Sequence, residues 1–281
     1  MRDDLKISLI QTNTAADRAA NLRQATDLMR AAVDSDRPDL LVLPEYCDFY
    51  GGEREGKLEA ASEPPGGAAY EAMQAFARQH RVWVHAGSML ERIPGDKRVY
   101  NTSVVFDRAG NEVARYRKIH LFDIDAPDGT EYRESATIKA GDDIVLYDLE
   151  GFKVGCAICF DIRFTELFTE LVRQGAELIM LPAAFALQTG KDHWEVLCRA
   201  RAIETQTYFI APAQTGFHVA NGERRMTYGH SLACDPWGHV VARVSDGIGF
   251  TTTRISRAQI KRARGLIPMQ SAYRSLAGSA R

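Results

Sequence analysis

Apolar positions in this chain follow two periods. Short β-prone runs of strand length occur at 5–11, 40–43, 82–87, 144–149, 152–158, 178–181 and 208–211. Between residues 16 and 34 the apolar positions instead return every three or four residues. Leu22, Ala25, Leu28, Met29 and Ala32 share one stripe, which predicts an amphipathic helix. Further helices are predicted at 68–80, 164–174 and 193–205. Segments 100–107 and 112–116 read as a hairpin turned at Arg108-Ala109-Gly110-Asn111. Segments 231–235 and 240–244 flank a turn at Pro236-Trp237-Gly238-His239. Strands alternate with helices, and no repeat, low-complexity tract or linker interrupts them. The expectation is one α/β domain over residues 1–281, with a solvated tail from about Lys261.

Composition adds exclusions. The chain has 281 residues, 45% hydrophobic and 26% charged, ordinary for a globular protein. A net charge of −2 argues against a general nucleic-acid or anionic-membrane role. The start, Met1-Arg2-Asp3-Asp4-Leu5, is polar and is not read as a signal peptide, and no apolar run approaches the roughly 20 residues of a bilayer span. Five cysteines cannot all pair within one chain, so a reducing, cytoplasmic setting is expected.

Cys159 is the first chemical candidate. The run Val154-Gly155-Cys156-Ala157-Ile158-Cys159 carries a thiol to a strand's carboxyl end, just ahead of a predicted helix. There it is either a small buried hydrophobe or a nucleophile whose thiolate the helix N-terminus favours. Cys156, on the strand itself, reads as buried packing. A redox or metal role for Cys156-Ala157-Ile158-Cys159 is disfavoured, since residues three apart on a strand face opposite ways. Glu45 follows the apolar run Leu40-Leu41-Val42-Leu43 and Pro44. It is either a solvated loop acid or a general base in a partly dry pocket, its pKa raised by desolvation. Lys118 lies in a basic stretch that is either a surface strand or a strand end turned inward, as Ile119, Leu121 and Phe122 suggest. No G-x-S-x-G and no G-x-x-x-x-G-K-[ST] occurs, and nothing implies a cofactor or metal.

Leu43-Pro44-Glu45, Tyr116-Arg117-Lys118-Ile119-His120-Leu121 and Cys159-Phe160-Asp161-Ile162-Arg163-Phe164, in this order, resemble the Glu, Lys and Cys motifs of the nitrilase superfamily of carbon–nitrogen hydrolases. The likeness extends through Gly190-Lys191-Asp192-His193-Trp194-Glu195, Arg199-Ala200-Arg201-Ala202-Ile203-Glu204-Thr205, Tyr228-Gly229-His230-Ser231 and Asp235-Pro236-Trp237-Gly238. Leu121-Phe122-Asp123-Ile124-Asp125 and Arg133-Glu134-Ser135 are similar to the branch of small amidases acting on deaminated glutathione and on ω-amides of dicarboxylates. The resemblance implies a four-layer α-β-β-α sandwich that pairs into a homodimer or a higher homo-oligomer. It also implies a Cys–Glu–Lys triad of Cys159, Glu45 and Lys118, with Glu134 as a second active-site glutamate.

The implied reaction is hydrolysis of a small linear amide through a thioester on Cys159, with Glu45 as general base. Lys118 and the backbone N–H of Phe160 are the expected oxyanion donors. A basic residue at the place of Arg163 holds the substrate carboxylate in related carbamoyl amino-acid hydrolases; the alternative for Arg163 is an ion pair with Asp161 or Glu166. Phe185 is expected to wall the pocket, and Tyr50 is a further candidate for substrate contact. His193 and His230 read as hydrogen-bonded structural groups. Deaminated glutathione is the leading substrate, ahead of 2-oxoglutaramate or succinamate, with a small nitrile as the other alternative. A non-catalytic superfamily member predicts loss of the Glu, Lys or Cys, and none is lost.

Overall fold

The apolar runs become strands buried on both sides. The structure is a computed structural model and describes residues 2–51, 54–62, 66–126, 129–220 and 222–269. In chain order the first half comprises β1 (Asp4–Gln11), α1 (Arg18–Asp36), β2 (Leu40–Val42), α2 (Arg54–Ala60), α3 (Ala68–His80), β3 (Trp83–His85), β4 (Met89–Arg92), β5 (Val99–Phe106), β6 (Glu112–Arg117), β7 (Asp123–Asp125) and β8 (Glu131–Arg133). The second half comprises β9 (Leu146–Leu149), β10 (Phe152–Cys156), α4 (Thr165–Arg173), β11 (Leu178–Met180), α5 (Leu187–Thr205), β12 (Tyr208–Ala211), β13 (Thr215–Ala220), β14 (Glu223–Tyr228), β15 (Leu232–Cys234), β16 (Val240–Arg243), β17 (Gly249–Ser256) and α6 (Arg257–Leu266).

One sheet runs β17-β1-β2-β3-β5-β4, with β6 on β5; the other runs β16-β15-β12-β11-β10-β9. The central pairs β1–β2–β3 and β10–β11–β12 are parallel. Successive side chains on a strand face opposite ways, so Leu5, Ile7, Leu9, Leu40 and Val42 point into the core shared with the second sheet. Ile10, Leu41 and Leu43 point the other way, against Met29 of α1 and Met73 and Phe76 of α3. Phe168 and Leu171 of α4 and Trp194 of α5 join the core of the second sheet. Helix, sheet, sheet, helix is the four-layer sandwich. Each fully buried aliphatic chain contributes roughly 1.5–3 kcal/mol, against roughly 0.2–1 kcal/mol for an exposed ion pair such as Arg30–Asp27. Apolar patterning therefore decides the architecture.

Helix boundaries follow local chemistry. α1 starts two residues after the expected position because the Asp17 side chain accepts from the Ala20 N–H (3.0 Å) and acts as N-cap. α5 starts at Leu187, not 193. Gly190 lies inside it, where an added Cβ would come 2.3 Å from the Tyr228 Cβ, so this glycine marks a close approach of β14 and not a break. Residues 261–266 are helical in α6, with Ala263 buried and Lys261, Arg262 and Leu266 exposed, and residues 270–281 lie outside the described residues. The sequence reading missed α2, β4, β7, β8, β13, β14, β17 and α6; of these, β17 pairs with β1 along eight residues, and β13 pairs with β14 as a hairpin. No helix among the described residues is long and apolar enough to cross a membrane. All five cysteines are free and buried.

Candidate active site

Three strands end at one place. Beyond β2, Leu43 and Pro44 carry the chain to Glu45. Gly87 makes room for that turn: its φ is +60°, and a Cβ there would lie 1.9 Å from the Pro44 carbonyl oxygen. From the second sheet's side, Gln214 Nε2 donates to the Glu45 carbonyl (2.9 Å). Beyond β6, Lys118 is fixed by its N–H to the Asn101 carbonyl (2.9 Å) and by its own carbonyl, which accepts from Gly141 N–H (2.9 Å).

Beyond β10, Cys159 opens a 3-10 turn, Cys159–Arg163, with φ of +46°. A non-glycine residue pays about 1–2 kcal/mol for that left-handed conformation. Asp161, fully buried, holds the turn. Its Oδ2 accepts from the Ile158 N–H (2.8 Å) and the Tyr116 hydroxyl (2.7 Å). Its Oδ1 accepts from the His120 N–H (3.0 Å) and lies 2.7 Å from His120 Nδ1.

The side chains form one bonded set. Lys118 Nζ donates to Glu45 Oε1 (3.0 Å) and to Glu134 Oε1 (3.1 Å) and Oε2 (2.9 Å). Glu134 also accepts from the Tyr46 hydroxyl (2.8 Å) and the Phe122 N–H (2.6 Å). Glu45 Oε1 accepts from Asn101 Nδ2 (2.8 Å). The Cys159 thiol lies beside the Glu45 carboxyl and near the Ala184 N–H. Glu45, Lys118 and Cys159 are 1%, 2% and 7% exposed, so water screens their charges little.

Burial pushes the Cys159 thiol well above its ordinary pKa, and the Glu45 charge pushes it further, against Lys118. Cys159 therefore rests as a neutral thiol. The α-helix expected just behind it, α4, begins only at Thr165, after the 3-10 turn. Burial likewise raises Glu45, with the Glu134 charge adding to it and Lys118 opposing. Burial works against ionisation of Glu134, but the Lys118 charge and hydrogen bond, with the Phe122 N–H and the Tyr46 hydroxyl, outweigh it and hold that carboxyl below its usual range. Burial disfavours the Lys118 ammonium, yet the Glu134 and Glu45 charges hold it protonated. A neutral thiol beside a proton-hungry carboxylate, both next to a fixed cation, can pass a proton and stabilise the charge that develops.

A cavity of about 540 Å³ opens onto this set. Tyr50, Phe160 and Phe185 line it as the sequence suggested. Arg163 does not. Its guanidinium lies 5.8 Å and 5.5 Å from the ring centroids of Phe160 and Phe185, and Nη2 donates to His193 Nδ1 (3.3 Å). It makes no ion pair with Asp161 or Glu166, because Asp161 is spent on Tyr116, His120 and the Ile158 N–H. His230 is structural as expected, with Nδ1 2.8 Å from the Tyr228 carbonyl and its own carbonyl accepting from Trp194 Nε1 (2.9 Å). Tyr46, Asn101, Ala184, Lys57, His218 and Arg225 belong to the site and were missed. The alternation around Asn221-Gly222 was a hairpin signal that could have placed His218 and Arg225.

The carbon–nitrogen hydrolase family pattern matches residues 6–265. A Synechocystis protein named deaminated glutathione amidase is 40% identical over 262 residues, covering 92% of this chain and 94% of that one. The solved structure of the Caenorhabditis elegans NitFhit protein superposes with a TM-score of 0.89 at 34% identity, over 97% of this chain and 65% of that longer one. Saccharomyces cerevisiae Nit3, described as a member of branch 10 of the nitrilase superfamily, superposes with a TM-score of 0.84 at 27% identity, over 96% of each chain. With the site and fold in agreement, this chain belongs to the carbon–nitrogen hydrolase family of the nitrilase superfamily.

Proposed function

We propose that this hydrolase cleaves a small carboxylate-bearing linear amide to a carboxylic acid and an amine: cysteinylglycine from deaminated glutathione, or ammonia from an ω-amide. The observation that carries the proposal is the bonded set of Cys159, Glu45, Lys118 and Glu134 closed under one cavity. Similarity to relatives named deaminated glutathione amidase supports the substrate class.

The steps follow from the charges. Glu45 takes the thiol proton as Cys159 sulfur attacks the amide carbon. Lys118 and the Phe160 N–H stabilise the oxyanion. The C–N bond breaks, Glu45 returns its proton to the leaving nitrogen, and the amine (ammonia where the amide is primary) departs from a Cys159 thioester. Water, deprotonated by Glu45, adds to the thioester carbon; the C–S bond breaks, and the proton returns to sulfur. Glu134 keeps Lys118 charged and placed throughout. We further propose that the whole chain acts as one hydrolase domain, in the cytoplasm, as a homodimer.

The test is hydrolysis of deaminated glutathione, read as cysteinylglycine release, and of 2-oxoglutaramate, succinamate and a small nitrile, read as ammonia release, ranked by kcat/KM. The expected order puts deaminated glutathione first and the nitrile last. A nitrile ranked first, or no hydrolysis of any amide, refutes the proposal.

A further inference from the structure

The charges facing the cavity do not all find partners within it. Lys118 is matched by two carboxylates. Arg133 pairs with Asp125 (2.5 Å) and Glu131 (3.6 Å). Lys57, on α2, donates to the Thr137 hydroxyl (2.8 Å), and among the described residues no carboxylate lies within 4.0 Å of its Nζ. Burial lowers its pKa, with the Glu134 charge opposing and the Lys118 and Arg225 charges adding. The fold thus holds a largely buried ammonium, with no carboxylate partner among the described residues, against the cavity and near a second cation.

Arg225 is that second cation. Its guanidinium lies 4.6 Å from the Tyr132 ring centroid, and both residues line the cavity. Burial and the Arg225 charge hold His218 down at about 4, so its imidazole is neutral at neutral pH. A row of rings joins this end of the cavity to the reacting groups. Tyr46, bonded to Glu134, stacks on Tyr50 at 4.9 Å, and Tyr50 stacks on His218 at 4.1 Å.

We propose that Lys57 and Arg225 form the anion subsite that grips the carboxylate of the substrate's acyl chain, while the row Tyr46–Tyr50–His218 flanks the chain between that carboxylate and Cys159. This rests on the amidase reading above and names the residues that select its substrates. It moves the carboxylate contact from Arg163, which does not line the cavity, to the α2 and β14 side. A guanidinium offers a planar fork to a carboxylate and an ammonium adds a point charge, so the pair selects a monoanionic acyl chain over its neutral counterpart.

Binding is measured by calorimetry in a Cys159→Ala background, which removes turnover, with glutaramate and its neutral diamide glutaramide as probes. The two differ only in the distal group. The parent should bind glutaramate at least tenfold more tightly than glutaramide. Lys57→Met and Arg225→Met should each reduce that preference at least fivefold, Lys57→Arg should retain most of it, and Arg163→Met should leave it standing. Equal weakening of both probes, an unchanged preference, a parent that does not prefer glutaramate, or a selective loss confined to Arg163→Met overturns the proposal. Failure of the amidase reading shows separately, as wild-type protein that hydrolyses no amide.

Discussion

Replacing Lys118 with Met is the most revealing perturbation. Met keeps the length of the side chain and removes its charge and three donated hydrogen bonds, at 2.9–3.1 Å, to Glu45 and Glu134. Two consequences follow, with different pH signatures. Loss of one oxyanion donor costs roughly 10²–10³ in kcat, about 2.7–4 kcal/mol. Stability changes too, because two buried carboxylates lose their shared cation. Breaking such a set costs about 3–5 kcal/mol while the remaining groups stay ionised.

Protonation relieves that penalty, and its sign is fixed. Without Lys118 the folded-state pKa values of Glu45 and Glu134 rise above their unfolded values, so the folded state binds protons more strongly than the unfolded state. Each unit of rise corresponds to about 1.4 kcal/mol. Stability of the variant relative to wild type should therefore be greatest at low pH and fall as pH rises through the raised pKa values. Urea unfolding of both proteins from pH 5 to 8, with ammonia release at pH 7.5, measures both effects. A variant within tenfold of wild-type kcat, or a stability difference that is flat or shrinks with rising pH, refutes the reasoning.

Glu134→Gln removes a charge that raises both Glu45 and Lys118; the acid limb of kcat/KM, set by ionisation of Glu45, should move to lower pH, as a pH–rate profile checks. Cys156→Ala should retain most activity, because Cys156 is buried on β10 with its thiol pushed up to about 12 by burial; ammonia release checks this, and a loss beyond tenfold counts against it. His85 is fully buried between Ser103 and Tyr147, and burial depresses it to about 3. The unfolded state therefore takes up its proton first, so stability present above about pH 6.5 is lost as pH falls toward 3. His85→Gln should flatten that acid limb in chemical denaturation, by up to about 5 kcal/mol.

The reacting groups were legible because each follows an apolar run of strand length, and strand ends are local features. Glu45 after Leu40-Leu41-Val42-Leu43 and Cys159 after Val154–Ile158 needed no tertiary information to be placed at a sheet's rim. The charge state of Cys159 was not legible, since it depends on burial and on Glu45, which the other sheet delivers. Lys57 sits in Arg54-Glu55-Gly56-Lys57-Leu58-Glu59-Ala60, polar enough to read as a solvated turn, and only the closing of the cavity over α2 shows its desolvation. β17 carries Thr251, Thr252 and Thr253 where an apolar run was sought; it holds its place through its register with β1, including the Ser8–Thr252 hydroxyl contact of 2.7 Å. Arg163 packs behind Phe160 and Phe185, and sequence distance from the nucleophile does not say on which side of those rings a guanidinium falls.

The central claim is a covalent thioester on Cys159, and rapid-quench intact mass spectrometry tests it most directly. Wild-type protein mixed with the preferred amide and quenched in acid should gain the mass of the substrate less that of the leaving amine. Peptide mapping should place the adduct on Cys159, and Cys159→Ala should show neither adduct nor hydrolysis while keeping the wild-type circular dichroism spectrum. Hydrolysis at the wild-type rate by Cys159→Ala, or an adduct mapped to another residue, would contradict the account.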